Sequence, residues 1–488
     1  MLPLLGQLLL LIAICASLHH IVRPEKSADP FVRNVTVASQ ISPFLLLVVA
    51  FVIDAENLDL VVRYGGSDLP LLYRISAVWS SRSGPLLLWA GIMGIVTLCM
   101  SRRFRENPLE IRIMQGWTSL LLILAAMLEP FEASSSLIGG GLNPLLQTDL
   151  MVIHPPVVFA FYSLCVATSS VALAGFMRGD DAIEIHKSQL HWARAGFLVG
   201  TVGIGLGGLW AYTVLDWGGY WAWDPVETGS LLPWLALLIV LHARANTNSP
   251  ATQAAPAVGM LAGALAFHAT LVTRANGVWA SVHAFVSDGK GSLPQDPYLR
   301  VLEIVDFDAV GAEILGYMIS IFILCYYSVM HLRRLQAEHL ESTGRITLIE
   351  SNRNLSMILV ISFIVVSLWI GSVATLLVGL SAIILLVEGD AQKPPTHWVA
   401  LGVTLMLFSS WTWNSEWYQA FAGMVPFFVP WIMTEEEEGG SWSIFNSVSS
   451  RTRAAKSFPW YGGSAFLLLT WMILTVEIDG TSLEAHEF

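Results

Sequence analysis

Charged residues are scarce in this 488-residue sequence: only 13% of positions are Asp, Glu, Lys or Arg, where a soluble domain carries about 25%. That scarcity excludes a water-soluble globular domain and puts the chain in the membrane class. Cysteine is scarce too. Cys15, Cys99, Cys165 and Cys325 show no C-x-x-C spacing and fall in apolar stretches, so packing is expected of them and not redox or metal chemistry. No A-x-A-like cleavage site follows the first apolar stretch, Leu2 to Leu18, which reads as a retained helix and not a signal peptide. Nucleotide and nucleic-acid signatures are lacking, so no nucleic-acid partner is expected. Charged residues paired within apolar stretches are almost lacking as well, which weighs against a transporter or a respiratory proton-pump subunit. The net charge of −12 implies no acidic-partner chemistry, because Glu435 to Glu438 concentrate four of the negative charges in one solvated run.

What the sequence does have is apolar length. Runs of roughly 17 to 25 residues, enough to cross ~30 Å of hydrocarbon, recur from end to end. About fourteen are expected, starting at Leu2, Ile41, Gly84, Ile113, Val152, Gly196, Ser230, Ala257, Val310, Leu355, Ser372, Trp398, Tyr418 and Phe466. The fold class that follows is all-α, a polytopic membrane protein with short outward-facing loops. Two parts are expected: a transmembrane core over residues 1–330 and a C-terminal transmembrane segment over 331–488.

Basic residues set the orientation, because short Lys/Arg-rich loops stay on the cytoplasmic side. Arg102, Arg103, Arg105 and Arg112 follow the third stretch, and Arg178, Lys187 and Arg194 the fifth. Arg333, Arg334, Arg345 and Arg353 follow the ninth, and Arg451, Arg453 and Lys456 the thirteenth. Each cluster comes after an odd-numbered stretch, so both termini and the loops after even-numbered stretches are expected outside. Three features then share the outer face: Asn143 to Gln147 leading to His154-Pro155-Pro156, a tryptophan-rich stretch, and Ser281 to Phe285.

The tryptophan-rich stretch runs from Trp210 through Trp217-Gly218-Gly219-Tyr220-Trp221-Ala222-Trp223-Asp224-Pro225-Val226-Glu227 to Trp234, with seven Trp and Tyr residues in twenty-five positions. An interfacial aromatic belt is the plain explanation, but a belt needs neither a glycine pair nor an acid. Gly218 and Gly219 permit a turn or close approach to a flat ligand, while Trp217, Tyr220, Trp221 and Trp223 offer ring faces suited to a porphyrin. Asp224 and Glu227 sit near the lipid boundary, where carboxylates are costly unless hydrogen-bonded or functional.

This stretch resembles the WGxxWxWD signature of haem-handling membrane proteins of cytochrome c biogenesis, the CcmC, CcsA and CcmF types. Three further segments resemble CcmF in particular. These are Asn143 to Gln147 with His154-Pro155-Pro156 (NPLLQ…HPP), Leu69 to Trp79 with Leu86 to Trp89, and Thr273-Arg274 with Gly277 ahead of Ser281-Val282-His283-Ala284-Phe285. The resemblance is strong over about residues 55–290 and fades beyond. Where that family has Gly-Gly-His-Glu-Gly, this chain has Ser80-Ser81-Arg82-Ser83-Gly84. That family has a sizeable outward domain near its C-terminus; here the loop before the last stretch is short and, by this topology, is expected to face inward, so docking is expected to rely on other subunits.

Of twelve histidines, His19, His20, His186, His191, His331, His339 and His486 lie at the ends of stretches or in loops and read as solvated. The resemblance implies that His154 and His283 ligate the iron of an incoming haem on the outer face. It also implies a second, membrane-buried haem b with His242 as one ligand. His397 is the preferred partner of His242 and His268 the rival. The implied activity is that of a holocytochrome c synthase, or cytochrome c haem lyase: thioether attachment of haem to the CxxCH segment of apocytochrome c at the plasma (cytoplasmic) membrane. The apocytochrome supplies both thiols, so no catalytic nucleophile is expected. Implied partners are a CcmE-type haem chaperone, apocytochrome c with CcmH/CcmI-type thiol-reducing and docking subunits, the lipid bilayer, and quinol as electron source. A CcsA-type synthetase or a CcmC-type haem exporter is the alternative.

Overall fold

A computed structural model of the chain describes residues 2–23, 29–103, 108–135, 139–214, 220–221, 223–243, 249–275 and 309–343. Among the described residues nine helices are long and apolar enough to cross a membrane, by length and composition. They are α1 (Leu2–Val22), α2 (Pro30–Val52), α5 (Gly84–Arg103), α6 (Pro108–Met127), α7 (Asp149–Arg178), α8 (Ala182–Val214), α9 (Pro225–His242), α10 (Pro250–Arg274) and α11 (Ala309–Thr343). Two short helices, α3 (Asp59–Tyr64) and α4 (Leu71–Ala77), lie in the loop after α2. These nine correspond one for one to the first nine expected stretches; the other five lie outside the described residues. The expected boundary after residue 330 falls inside α11, and most of the expected C-terminal segment lies outside the described residues.

Two starts are corrected by polar residues. α2 begins at Pro30, ahead of the expected Ile41, because its polar first turns are satisfied inside the bundle. His20 Nε2 lies 2.8 Å from Thr36 Oγ1, and the Gln40 amide donates to Ser17 Oγ and Gln115 Oε1 at 2.7 and 2.6 Å. α8 begins at Ala182, not at Gly196. Its 33 residues make a rod of ~50 Å, longer than the ~30 Å of hydrocarbon. Hydropathy registers only the apolar part of such a rod.

The helix ends are capped by side chains from the sequence itself. Asp29, Thr148, Asp224 and Ser249 accept from backbone N–H groups at the starts of α2, α7, α9 and α10, each such cap contributing about 1 kcal/mol. Gly179, at φ +78°, ends α7 in the left-handed conformation that glycine adopts without strain.

The core is one continuous apolar cluster, with Trp89, Phe161, Phe267 and Tyr317 among its fully buried rings. α7 packs along α8 and α10, and α10 along α9 and α11. α8 meets α7 through a row of glycines: a Cβ at Gly196, Gly200, Gly203 or Gly207 would meet Leu164 or Leu237, Phe161, Val157 or Val158, and His154 respectively. Small residues at this spacing let helix backbones approach closely in a bilayer, where packing and not hydrophobicity drives association. Cys165 and Cys325 are buried packing residues, while Cys15 and Cys99 lie on outer helix flanks.

Charges and histidines inside the bundle overturn two expectations. Glu313 of α11 is fully buried and accepts from Arg82 Nε at 2.9 Å, from Arg274 Nε and from the Tyr317 hydroxyl at 2.8 Å. Arg82 and Arg274 also donate to each other's backbone carbonyls. Near the opposite end, buried Glu110 pairs with Arg178 at 3.6 Å. Paired charges are therefore present within the spans; their partners are far apart in sequence, so no local window shows them. Likewise His20, His186 and His331 are buried and not solvated. His186 Nε2 lies 3.0 Å from the Ala243 carbonyl and His331 Nε2 2.8 Å from that of Gln253.

Candidate functional site

One end of the bundle gathers the residues singled out by the motifs. The loop after α2 is clasped to the loop after α6 by a bridge between Leu58 and Ala133, with Asp59 N donating to Glu132 O at 3.1 Å and Ser134 N to Asn57 O at 3.1 Å. Arg74 knits the first of these loops together, donating to the carbonyls of Leu69 and Val52 at 2.9 and 3.1 Å and to that of Ser67. Asn143 caps a single turn over Pro144–Leu146 by accepting from Leu145 N at 3.0 Å, and Gln147 Nε2 donates to Leu142 O at 3.0 Å. This compact turn delivers the chain to Thr148, which caps α7.

His154 occupies the second turn of α7. Its Nδ1 lies 3.0 Å from the Gly203 carbonyl of α8, and its ring meets Trp210 edge-on at 5.8 Å between centroids. A backbone carbonyl can only accept, so Nδ1 carries the proton and Nε2 the lone pair. That is the tautomer of a metal-ligating imidazole held by a backbone acceptor. Gly207 makes room for the ring: a Cβ there would come within 2.8 Å of His154 Cε1. Sequence reasoning missed Gly203 and Gly207 as the surroundings of His154; their signal was the small-residue spacing along α8, while Trp210 was named only as the start of the tryptophan-rich stretch.

α8 then rises into the tryptophan-rich stretch. Tyr220 stacks on Tyr212 with centroids 4.4 Å apart and planes 12° from parallel, and its carbonyl lies close over Gly208. Trp221 and Trp223 meet edge to face at 5.8 Å. Trp223 is 53% exposed and its φ of +58° lies in the left-handed region, a conformation that costs a bulky residue on the order of 1 kcal/mol. Asp224 follows at once, its carboxylate accepting from Val226 N at 2.8 Å and its carbonyl from Thr228 N at 2.9 Å. The acid of the motif is thus the cap of α9, and Pro225 is the first helical residue, where its missing N–H is harmless. Glu227 lies in the first turn, favourable to the helix dipole.

The expected platform is narrowed at one position. Trp234 stacks on Phe197 at 4.9 Å and donates its indole N–H to Thr201 Oγ1 at 2.9 Å. One face of this ring is covered by α8, so Trp234 fastens α9 to α8. Tyr212, Tyr220 and Trp223 remain the large exposed rings at this end among the described residues. Trp217, Gly218, Gly219 and His283 lie outside the described residues.

His242 and His268 are kept apart. His242 is the last residue of α9, exposed, with Nδ1 2.8 Å from Leu238 O. Gly229 of α9 sits against Ala269 of α10, which puts His268 level with a point thirteen residues, or ~20 Å, up the helix from His242. One iron cannot bridge that distance, and the rivalry of His268 for partnership with His242 is set aside. His268 is a buried core residue of α10. His397 lies outside the described residues.

Residues 79–274 match the family described as cytochrome C assembly protein. The cytochrome c-type biogenesis protein CcmF of Escherichia coli (strain K12) is 33% identical over 256 residues, 50% of this chain and 39% of its own length. CcmF of Pseudomonas fluorescens is 34% identical over 312 residues, 59% of this chain and 46% of its own. The probable cytochrome c-type biogenesis protein NrfE of Escherichia coli (strain K12) is 30% identical over 299 residues, 58% of this chain and 54% of its own. The chain spans about half the length of these curated relatives. A solved structure titled cytochrome c heme lyase CcmF superimposes with a TM-score of 0.52 at 18% identity, over 96% of this chain and 71% of that one, which establishes a shared fold. The CcmF-type resemblance carried by the motifs is borne out.

Proposed function

We propose that this chain of CcmF-type similarity serves cytochrome c maturation by presenting haem at the outer membrane face for covalent attachment to the CxxCH segment of apocytochrome c. The observation that supports this most directly is His154, whose Nδ1 is committed to Gly203 O beside Trp210, at the same end of the bundle as the exposed rings of Tyr220 and Trp223. Haem is the substrate in this reading. His154 and His283 hold its iron, Trp217, Gly218, Gly219, Tyr220, Trp221 and Trp223 lie along its faces, and the vinyl edge is left for the two acceptor thiols. The chain supplies orientation and an apolar surface, and needs no nucleophile of its own. A CcmE-type chaperone delivering haem and CcmH/CcmI-type subunits docking the apocytochrome fit this scheme as partners. The outer-face assignment rests on the Arg and Lys clusters that follow the odd-numbered apolar stretches.

A second haem, of b type, would be held by His242 and His397. The fit on the side of His242 is good: with Nδ1 on the Leu238 carbonyl, Nε2 is the lone-pair nitrogen of an exposed imidazole at the flank of α9. When bound there, such a group would supply one-electron redox chemistry, with quinol as the proposed electron source, and His242 would hold it.

The test is to purify the full chain in detergent, titrate it with haem, and then supply a CxxCH apocytochrome under reducing conditions. Haem that resists acid-acetone extraction is the expected product, and an absence of haem affinity overturns the proposal. His242→Ala is expected to remove the b-type reduced spectrum while titrated haem still binds at the outer site; retention of that spectrum would reassign the buried ligand. Gly207→Ala is expected to push the His154 ring off the Gly203 carbonyl. Haem affinity then falls on the order of tenfold, with helix content unchanged by circular dichroism, since alanine favours a helix over glycine by about 1 kcal/mol.

A further inference from the structure

Prolines that follow a histidine inside a helix create a specific defect. Residue 155 is proline and has no N–H, so the carbonyl of Met151, four positions back in α7, loses its helical donor. A buried carbonyl without a donor is costly. The structure fills the gap from another element: the indole Nε1 of Trp79, in the single turn over Val78–Ser80, donates to Met151 O at 2.7 Å, and both residues are buried. Trp79 itself is held in place by the segment around it, where Ser81 Oγ donates to Val78 O and accepts from Gly84 N at the start of α5. A rigid turn anchored on α5 thus holds the first turns of α7. His154 sits on that same part of the helix and must meet the Gly203 carbonyl on α8.

We propose that Trp79 is a positioning residue for His154: its indole N–H replaces the donor that Pro155 removes and so fixes the start of α7, with the imidazole directed by Gly203. The inference rests on the reading of His154 as a haem-iron ligand, but its geometry stands on the described residues alone. It also gives a reason why an aromatic residue with an N–H, and not merely a large ring, stands in the Leu69 to Trp79 segment. Trp79 acts through the backbone and touches no reacting atom.

The experiment compares Trp79→Phe with the same change on a Pro155→Ala background, in the detergent-purified full chain. Alanine at 155 restores an N–H to the Met151 carbonyl, so the indole becomes redundant. Two quantities are read: haem affinity by titration, and, in haem-free protein, the rate at which diethyl pyrocarbonate modifies His154, followed by peptide mass spectrometry. Trp79→Phe alone is expected to weaken haem binding about tenfold and to accelerate His154 modification. On the Pro155→Ala background both effects are expected to vanish, and if Trp79→Phe alone fails to fold, the double variant is expected to recover. An unchanged modification rate in Trp79→Phe, or equal losses on both backgrounds, overturns the inference, because the ring and not the N–H would then matter. His154→Ala separates the two levels: wild-type haem affinity in that variant defeats the ligand reading, while the modification rates still decide the role of Trp79.

Discussion

His154→Ala is expected to weaken haem binding at the outer site well beyond the roughly 10–100-fold that removing a partner of a metal ligand costs. The imidazole enters the site already oriented, its Nδ1 given to Gly203 O and its ring edge set against Trp210. Little of its freedom is left to lose when iron binds. Removing the ring forfeits that preorganised ligand, and a second histidine alone leaves the iron with one axial nitrogen. The absorption spectrum of bound haem is therefore expected to change from low-spin, two-imidazole character to a high-spin form. Stability should fall by only about 1 kcal/mol, the worth of one hydrogen bond. Exogenous imidazole supplied to His154→Gly is expected to restore the low-spin spectrum. If haem titrates His154→Ala with wild-type affinity and an unchanged spectrum, the assignment is wrong.

Glu313→Ala is expected to be the most destabilising single change of a charged residue. Glu313 is fully buried, and two guanidinium groups and the Tyr317 hydroxyl converge on its carboxylate. Replacing such a centre removes the compensation for two desolvated cations, which costs about 3–5 kcal/mol. The apolar contacts of α11 with α10 are untouched, so the loss is electrostatic. Glu313→Gln keeps the shape and one acceptor but not the charge, and should fall between. Thermal unfolding of the detergent-solubilised protein measures both variants. Equal melting temperatures for wild type and Glu313→Ala would show that the triad contributes nothing to the fold. Because Arg82 belongs to the loop before α5 and Arg274 ends α10, the same change should loosen the end of the bundle that carries His154. Faster proteolysis there than at the α7–α8 turn would report it.

Much of this was legible in the linear pattern. Nine spans announce themselves because a helix needs ~20 apolar residues to cross a bilayer, a property of consecutive residues. The His154 and tryptophan-rich motifs are equally local, as are the caps at Thr148 and Asp224 that start α7 and α9. What could not be read were relations between distant positions. The pairing of Arg82 and Arg274 with Glu313 links three elements, and no window shows that buried charges will be compensated. His20, His186 and His331 looked solvated at the ends of apolar runs, yet they donate to or accept from groups on neighbouring helices. Trp234 belonged to the aromatic cluster by spacing, but α8 claims one of its faces. The identity of the residues at the proposed haem site is set by composition and motif. Which nitrogen of His154 is held, by which carbonyl, and which ring faces stay open depends on the approach of α7 to α8. That approach is decided by packing across the whole bundle, because hydrogen bonds and ion pairs act over a few ångströms in space, whatever their separation along the chain.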